Sequence, residues 1–287
     1  MHYVDAKGIL SESKGMNPYR GCTHGCIYCD ARSRCYGFTH PFEDIEVKQN
    51  APELLEKALR SMRKKCMIST GAMCDPYLHA EEQTMLTRRC LEVIDRYGYG
   101  VCVQTKSTRI LRDLPLLESI NRKAKCVVQM TLTTYDENLC KLIEPRVSTT
   151  RERAEALRVF RDHHIPTIVW MTPILPFIND TPENIMGLLQ LCIEAEVKGI
   201  ILFDMGVTLR EGDREYFYDA LDRDFPGVKQ KYVQFFGNRY ECQSPRNDEL
   251  MRLFHDTCRK HGIMDTEEEC FAYMRAFPEV GEQLSLF

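Results

Sequence analysis

Asn17–Arg32 reads NPYRGCTHGCIYCDAR. Cys22, Cys26 and Cys29 stand at spacing C-x3-C-x2-C, and closely spaced cysteines on one loop are how proteins hold iron–sulfur clusters. Three thiolates occupy three irons of a cubane and leave the fourth iron open to chelate a small molecule. Gly21 and Gly25 permit a tight loop around the cysteines. Tyr28 is an aromatic placed to pack over an adenine. The spacing alone also suits a zinc site, with His24 or Cys35 as the fourth ligand.

Beyond this loop, short apolar runs alternate with helical periodicity. Strands are expected at Cys66–Thr70, Val101–Thr105, Cys126–Thr131, Ile165–Met171 and Gly199–Asp204. Helices are expected over Glu81–Arg96, Arg112–Arg122, Arg151–His163 and Thr181–Glu196. Buried strands separated by helices imply βαβ units and a parallel sheet. Ser148 or Thr149 caps the Arg151 helix, and Thr181 followed by Pro182 caps the next. From Leu209 the texture becomes helical, charged and aromatic, with no flexible linker before it. The chain divides into residues 1–206, a barrel carrying the loop 17–32; 207–280, a helical extension of the same domain; and the tail 281–287.

The 287 residues carry a net charge of -4 and 14 cysteines. That balance does not advertise nucleic-acid binding, although a local basic face is compatible with it. The first residues have neither the basic nor the apolar region of a secretory signal, and no apolar stretch is long enough to cross a bilayer. A cytoplasmic protein with reduced thiols is expected, its strand cysteines serving as small hydrophobes.

NPYRGCTHGCIYCDAR resembles the cluster loop of the radical S-adenosylmethionine (SAM) superfamily, in the form used by its spore photoproduct lyase-like (DNA repair photolyase-like) branch. The likeness continues through GAMCDPYLHAE (71–81), QTKSTRILRDLPLL (104–117), LIEPRVSTTRERAEALR (142–158) and TPILPFIND (172–180). It implies a partial (β/α)6 barrel, and in such barrels the chemistry sits at the C-terminal ends of the strands. It also implies a [4Fe–4S] cluster on Cys22, Cys26 and Cys29. The open iron would chelate SAM, whose reductive cleavage yields a 5′-deoxyadenosyl radical, with an electron from a flavodoxin or ferredoxin.

By the same resemblance Tyr28 faces the adenine, Lys106 contacts the SAM carboxylate, and Thr131 lies near the ribose. Glu144 and Asn179 are polar strand-end groups expected at the same mouth, and for Glu144 an internal Glu–Arg ion pair is the competing reading. The branch places a hydrogen-donating cysteine in the loop after the second strand, where this chain has Ala72. Cys74, two residues on, stands where the branch has a SAM-contacting serine; it is the candidate catalytic thiol, either a radical relay or a cofactor neighbour. A lyase acting on a DNA base lesion is thereby implied. A radical SAM modifier of a peptide, RNA or small metabolite stays open, as does a non-enzymatic cluster- or zinc-binding module.

The terminal QLSLF resembles the short peptides by which replication and repair proteins bind the bacterial sliding clamp. Leu284, Leu286 and Phe287 would be its anchors and Gln283 its hydrogen-bonding group. Packing of those residues on the barrel is the alternative. Arg109 and Arg146, close to strand ends, are the candidate phosphate contacts.

Overall fold

The computed structural model describes residues 1–278. Six parallel strands form one sheet: β1 Gly15–Met16, β2 Met67–Thr70, β3 Gly100–Thr105, β4 Cys126–Thr131, β5 Thr167–Trp170 and β6 Gly199–Ile201. They lie side by side in chain order. Parallel crossovers are right-handed, so crossovers that always advance in one direction put every helix on the same face. The sheet therefore curls as an open barrel with an outer helical layer, as expected.

Alternation along the strands divides the apolar side chains between the two faces. Ile68, Val101, Val103, Val128, Met130, Val169 and Ile200 join the main core, with Leu91, Ile94, Leu117, Leu157, Phe160 and Leu188 from the helices. Met67, Cys102, Val127, Ile168 and Ile201 form a separate cluster on the other face. The helices of the outer layer are α1 Ala51–Ser61, α2 Leu86–Tyr97, α3 Leu114–Lys123, α4 Thr150–Asp162 and α5 Pro182–Glu194.

Thr149 caps α4 in a reciprocal box with Glu152, and Thr181 caps α5. Two helices begin later than periodicity suggests. The expected Glu81–Arg96 helix breaks at Met85, which adopts a left-handed backbone with φ of 50°. The buried Glu81 carboxylate accepts from the backbone N–H groups of Thr87 and Arg88, so it caps α2 from outside. Before α3, Thr108–Asp113 winds as a tighter 3-10 helix.

The C-terminal segment contains β7 Gly206–Thr208, β8 Glu241–Gln243, α6 Asp213–Asp224, α7 Val228–Phe236, α8 Asn247–His261 and α9 Glu267–Arg275. Strands β7 and β8 pair antiparallel. Helix α8 packs along α5, and α9 lays Cys270 and Met274 against the inner face of the sheet. The extension is thus woven into the barrel, closing the inner face that the six strands leave open. All fourteen cysteines are free thiols. No helix among the described residues is long and apolar enough to cross a membrane. The tail motif at Gln283, Leu284, Leu286 and Phe287 lies outside the described residues.

Candidate active site

The loop 17–32 crosses the end of the barrel to which the strands point. Gly21 and Gly25 take positive φ, 85° and 73°. A Cβ on Gly21 would stand 2.4 Å from the Phe42 carbonyl oxygen, which itself accepts from the Cys22 N–H at 3.1 Å. Any side chain there would displace the backbone that aims Cys22.

Cys22, Cys26 and Cys29 line one inner cavity of about 110 Å³ with His24, Tyr28, Cys74, Asp75, Lys106 and Thr131. Burial pushes the Cys22 thiol up to about 12, with the nearby Cys29 and Asp75 adding to it. Burial also raises Cys26 and Cys29, although the Lys106 ammonium opposes this at both. Buried thiols so reluctant to ionise become thiolates when a metal replaces their protons. The donor set therefore fits a resident metal group.

No three of the donor atoms of Cys22, His24, Cys26, Cys29, Cys35 and Cys74 lie within 4.8 Å of one another. Tetrahedral zinc, with Zn–S bonds of ~2.3 Å, needs sulfurs roughly 3.8 Å apart. A cubane puts each thiolate on a different iron and holds the sulfurs wider apart. Cys35 is exposed, and its sulfur lies 3.8 Å from Arg210 Nη1. It is outside the cavity and offers no fourth ligand.

The remaining candidates separate into two groups. Lys106 lines the cavity, and among the described residues its ammonium has no hydrogen-bonded or ion-paired partner. Burial would lower it, yet Cys26, Glu144 and Cys29 outweigh that and raise it overall. Its backbone is fixed by Asp75, which accepts from the Lys106 N–H at 2.7 Å and from Thr105 Oγ1 at 2.7 Å. Asp75 thus stitches the loop after β2 to the end of β3, a role visible in the sequence only as an acid beside Cys74. Thr131, the last residue of β4, lines the cavity too. Cys74 donates to the Gly21 carbonyl at 2.7 Å, and burial holds its thiol well above the ordinary range. It lines the inner cavity with Cys22 and does not line the outer one described below.

Glu144 and Asn179 belong elsewhere. Glu144 is buried and ion-paired with the buried Arg153, and it accepts from the Tyr28 hydroxyl. This is the internal Glu–Arg pair, formed with Arg153 on α4. Arg153 also donates to the Thr131 carbonyl at 2.6 Å. Burial works against the Glu144 anion, but Arg153 and Lys106 prevail and keep its carboxyl below the usual range. Asn179 accepts from the Leu175 N–H at 2.6 Å and donates to Thr133 O and Thr134 Oγ1 at 2.8 and 2.9 Å. It ties the loops after β4 and β5 together. Neither residue lines either cavity; Glu144 holds Tyr28, which does, whereas Asn179 binds Leu175, Thr133 and Thr134. Tyr28 keeps its ring in the cavity wall while its hydroxyl is anchored outward on Glu144.

The inner cavity opens into a cleft of about 1280 Å³. Tyr28, Cys29, Ala72, Gln104 and Lys106 belong to both walls. The cleft is also lined by Trp170, Phe203, Phe235 and Tyr240, the last three 49%, 51% and 41% exposed. None of these aromatics is marked as a cleft residue by the sequence. Arg109 is engaged with Glu82, whereas the exposed Arg146 guanidinium has no partner among the described residues.

A partial parallel barrel with a three-cysteine loop across its mouth, and a lysine and an aromatic beside it, defines a SAM-cleaving iron–sulfur enzyme. Residues 16–192 match the model of the radical SAM superfamily, and the chain belongs to that superfamily. Its enzymes use a [4Fe–4S] cluster and SAM. An uncharacterized protein of Mycobacterium tuberculosis is 28% identical over 249 residues, covering 83% of this chain and 71% of that one. An uncharacterized protein of Methanocaldococcus jannaschii is 30% identical over 174 residues, covering 60% and 64%. Among solved structures, a spore photoproduct lyase mutant with bound AdoMet and dinucleoside spore photoproduct superposes with a TM-score of 0.58. It is 13% identical, covering 87% of this chain and 74% of that one. That likeness is one of fold.

Proposed function

We propose that this radical SAM enzyme acts on a base lesion or modified base in DNA. The carrying observation is the aromatic-walled cleft joined to the cluster cavity through Tyr28, Cys29 and Lys106. Trp170, Phe203, Phe235 and Tyr240 offer faces on which an extruded base stacks, and such stacking contributes about 1–3 kcal/mol per base. The solved structure of similar fold that carries a dinucleoside photoproduct supports the same reading.

Cys22, Cys26 and Cys29 would hold the cluster, which with SAM supplies a 5′-deoxyadenosyl radical. Lys106 receives the SAM carboxylate, Thr131 and Tyr28 flank the nucleoside, and Asp75 fixes Lys106 at the strand end. Enclosure among buried side chains keeps water away from the reactive carbon. Electrons would come from a flavodoxin or ferredoxin in the cytoplasm. The QLSLF tail would tether the enzyme to a sliding clamp, raising its local concentration on DNA.

One observation favours a second reading, a peptide or small-molecule substrate. Asp204, Glu241 and Asp248 outnumber the cations Lys106 and Arg239 on the cleft wall, once Asp30 is paired with Arg210 at 3.1 Å. A polyanion is not favoured there. Anaerobically reconstituted enzyme, reduced in the presence of SAM, separates the two. Under the first reading ultraviolet-damaged DNA stimulates 5′-deoxyadenosine formation above undamaged DNA. Equal rates with both, or none above the DNA-free background, would overturn it.

A further inference from the structure

A second constellation of ligand-type side chains lies apart from the cysteines and shares no residue with either cavity wall. One ring nitrogen each from His2 and His40 and one oxygen of Glu46 all lie within 4.8 Å of one another. Their convergence is built by the small N-terminal sheet. The strand His2–Val4 runs parallel to Glu46–Lys48 with His2 in register with Glu46, so both side chains leave the same face. On the other flank Arg20 is the register partner of Glu46. His40 comes from the loop that follows the cluster loop.

The outer contacts are those of metal-binding histidines. A ligating histidine nearly always donates its other ring N–H to a carboxylate or backbone carbonyl, which fixes the tautomer and the ring plane. His2 Nδ1 lies 3.0 Å from the Asp44 carboxylate, and His40 Nδ1 lies 3.0 Å from the Pro41 carbonyl. In the tautomers in which both Nδ1 atoms donate, the Nε2 lone pairs would be left for a cation. His40 Nε2 already points at Glu46 Oε1 from 2.8 Å. A neutral imidazole carries one N–H and cannot satisfy two oxygen acceptors at once. The ring in this arrangement is an imidazolium, and a metal ion entering the site would take the place of the Nε2 proton. Glu46 is oriented by Arg20 Nη1 at 2.9 Å, and Arg20 is held in turn by the carbonyls of Tyr36 and Gly37 at 2.8 and 3.1 Å.

We propose that His2, His40 and Glu46 form a binding site for one divalent metal ion of the zinc type, independent of the cysteine cluster. Two imidazoles and a carboxylate are a zinc donor set, with water completing the tetrahedron. The ion would pin the N-terminal strand to the segment leaving the cluster loop, and through Arg20 to residues 36 and 37. Its role is therefore a staple on the support of the active-site loop, outside the reaction itself.

The test uses untagged full-length protein with its cluster reconstituted, given one equivalent of zinc and then freed of excess by gel filtration. The expected result is one retained zinc per chain whose X-ray absorption fine structure contains nitrogen and oxygen scatterers near ~2.0 Å and no sulfur at ~2.3 Å. His40→Ala and Glu46→Gln should each weaken zinc binding by at least tenfold, with iron content unchanged. Asp44→Asn, which removes the outer contact of His2 and the carboxylate paired with the Met1 ammonium at 2.6 Å, should weaken it about 10–100-fold. Zinc should raise the melting temperature of the parent protein but not that of His40→Ala. Failure of the parent protein to retain zinc, retention unchanged in both ligand variants, or sulfur in the zinc shell would each overturn the proposal.

Discussion

Replacing Arg153 by Met removes the cation that makes Glu144 tolerable inside the protein. Arg153 and Glu144 are 0% and 1% exposed. The guanidinium donates to the Thr131 carbonyl at 2.6 Å, to Cys140 Sγ at 3.2 Å and to the Glu144 carboxylate. Deleting one partner of a buried pair strands the other charge and costs about 3–5 kcal/mol. At about 2–4 °C per kcal/mol for a chain near this size, the melting temperature should fall by roughly 6–20 °C. Pairing the change with Glu144→Gln removes the stranded charge and leaves an acceptor for Tyr28. The double variant should therefore be more stable than Arg153→Met alone.

Acidity gives the same variant a signature. In the parent protein the Glu144 carboxyl is held below its ordinary value, so its stabilisation is in place above that value and lost as pH falls through the range below ~4.3. In Arg153→Met burial acts unopposed by the guanidinium and raises the carboxyl. The deficit is then largest at neutral pH and shrinks on acidification as Glu144 takes up a proton. Chemical unfolding of anaerobic, reduced protein from pH 7 to about pH 3 measures both effects. A loss under about 1 kcal/mol at pH 7, or a double variant whose loss equals the two single losses added, would refute the buried-pair account.

Cys22→Ala, Cys26→Ala and Cys29→Ala should each lose most bound iron and all 5′-deoxyadenosine formation, while Cys35→Ser keeps both; iron analysis and product chromatography decide. Lys106→Met should weaken SAM binding about 10–100-fold, the value of a hydrogen bond to a charged group, with iron content unchanged in equilibrium binding measurements. Asp213, whose carboxyl burial raises to about 6 with Asp30 adding to it, should be relieved by Asp213→Asn. A raised carboxyl makes the folded state bind its proton more tightly, so parent stability falls as pH climbs from about 4 to 6 and stays lowered above. The variant's advantage should be near zero at pH 4 and reach up to about 3 kcal/mol at pH 7, a limit reduced by solvent screening; unfolding curves at both values measure it.

Local signals carried most of the barrel into the sequence. Cys126–Thr131 forms β4 over the expected residues because it is a mostly apolar run, interrupted by Gln129, that is buried on both faces. Gly15–Met16 could not be read that way, since two residues carry no period and its strand character comes from pairing with β2. The break at Met85 was hidden because the capping carboxylate of Glu81 belongs to the preceding turn, while the apolar spacing runs on unbroken. The helical texture beyond Leu209 was visible, but the destinations of α8 and α9 were not; periodicity says which face is buried and is silent on what buries it. The cysteine triplet was legible because all its donors sit within eight consecutive residues. Arg153 left one overlooked trace, a charged residue in line with Ala156, Leu157 and Phe160 on the buried face of α4.

A polar side chain can recognise a ligand only with atoms that the protein has not already used. Sequence position brought Lys106, Thr131, Glu144 and Asn179 together as strand-end groups, but the structure divides them by this criterion. Both amide donors and the amide oxygen of Asn179 are engaged by neighbouring loops, and Glu144 is committed to Arg153 and Tyr28. The Lys106 ammonium is uncommitted, and it stands beside three thiols that burial keeps protonated. Such a cation gains its full value when negative charge arrives, whether thiolate or carboxylate. The spent residues matter through the free ones: Glu144 sets Tyr28, Arg153 sets Thr131, and Asp75 sets Lys106. Substituting a spent residue should therefore cost stability first and cofactor affinity second, while substituting Lys106 should reverse that order.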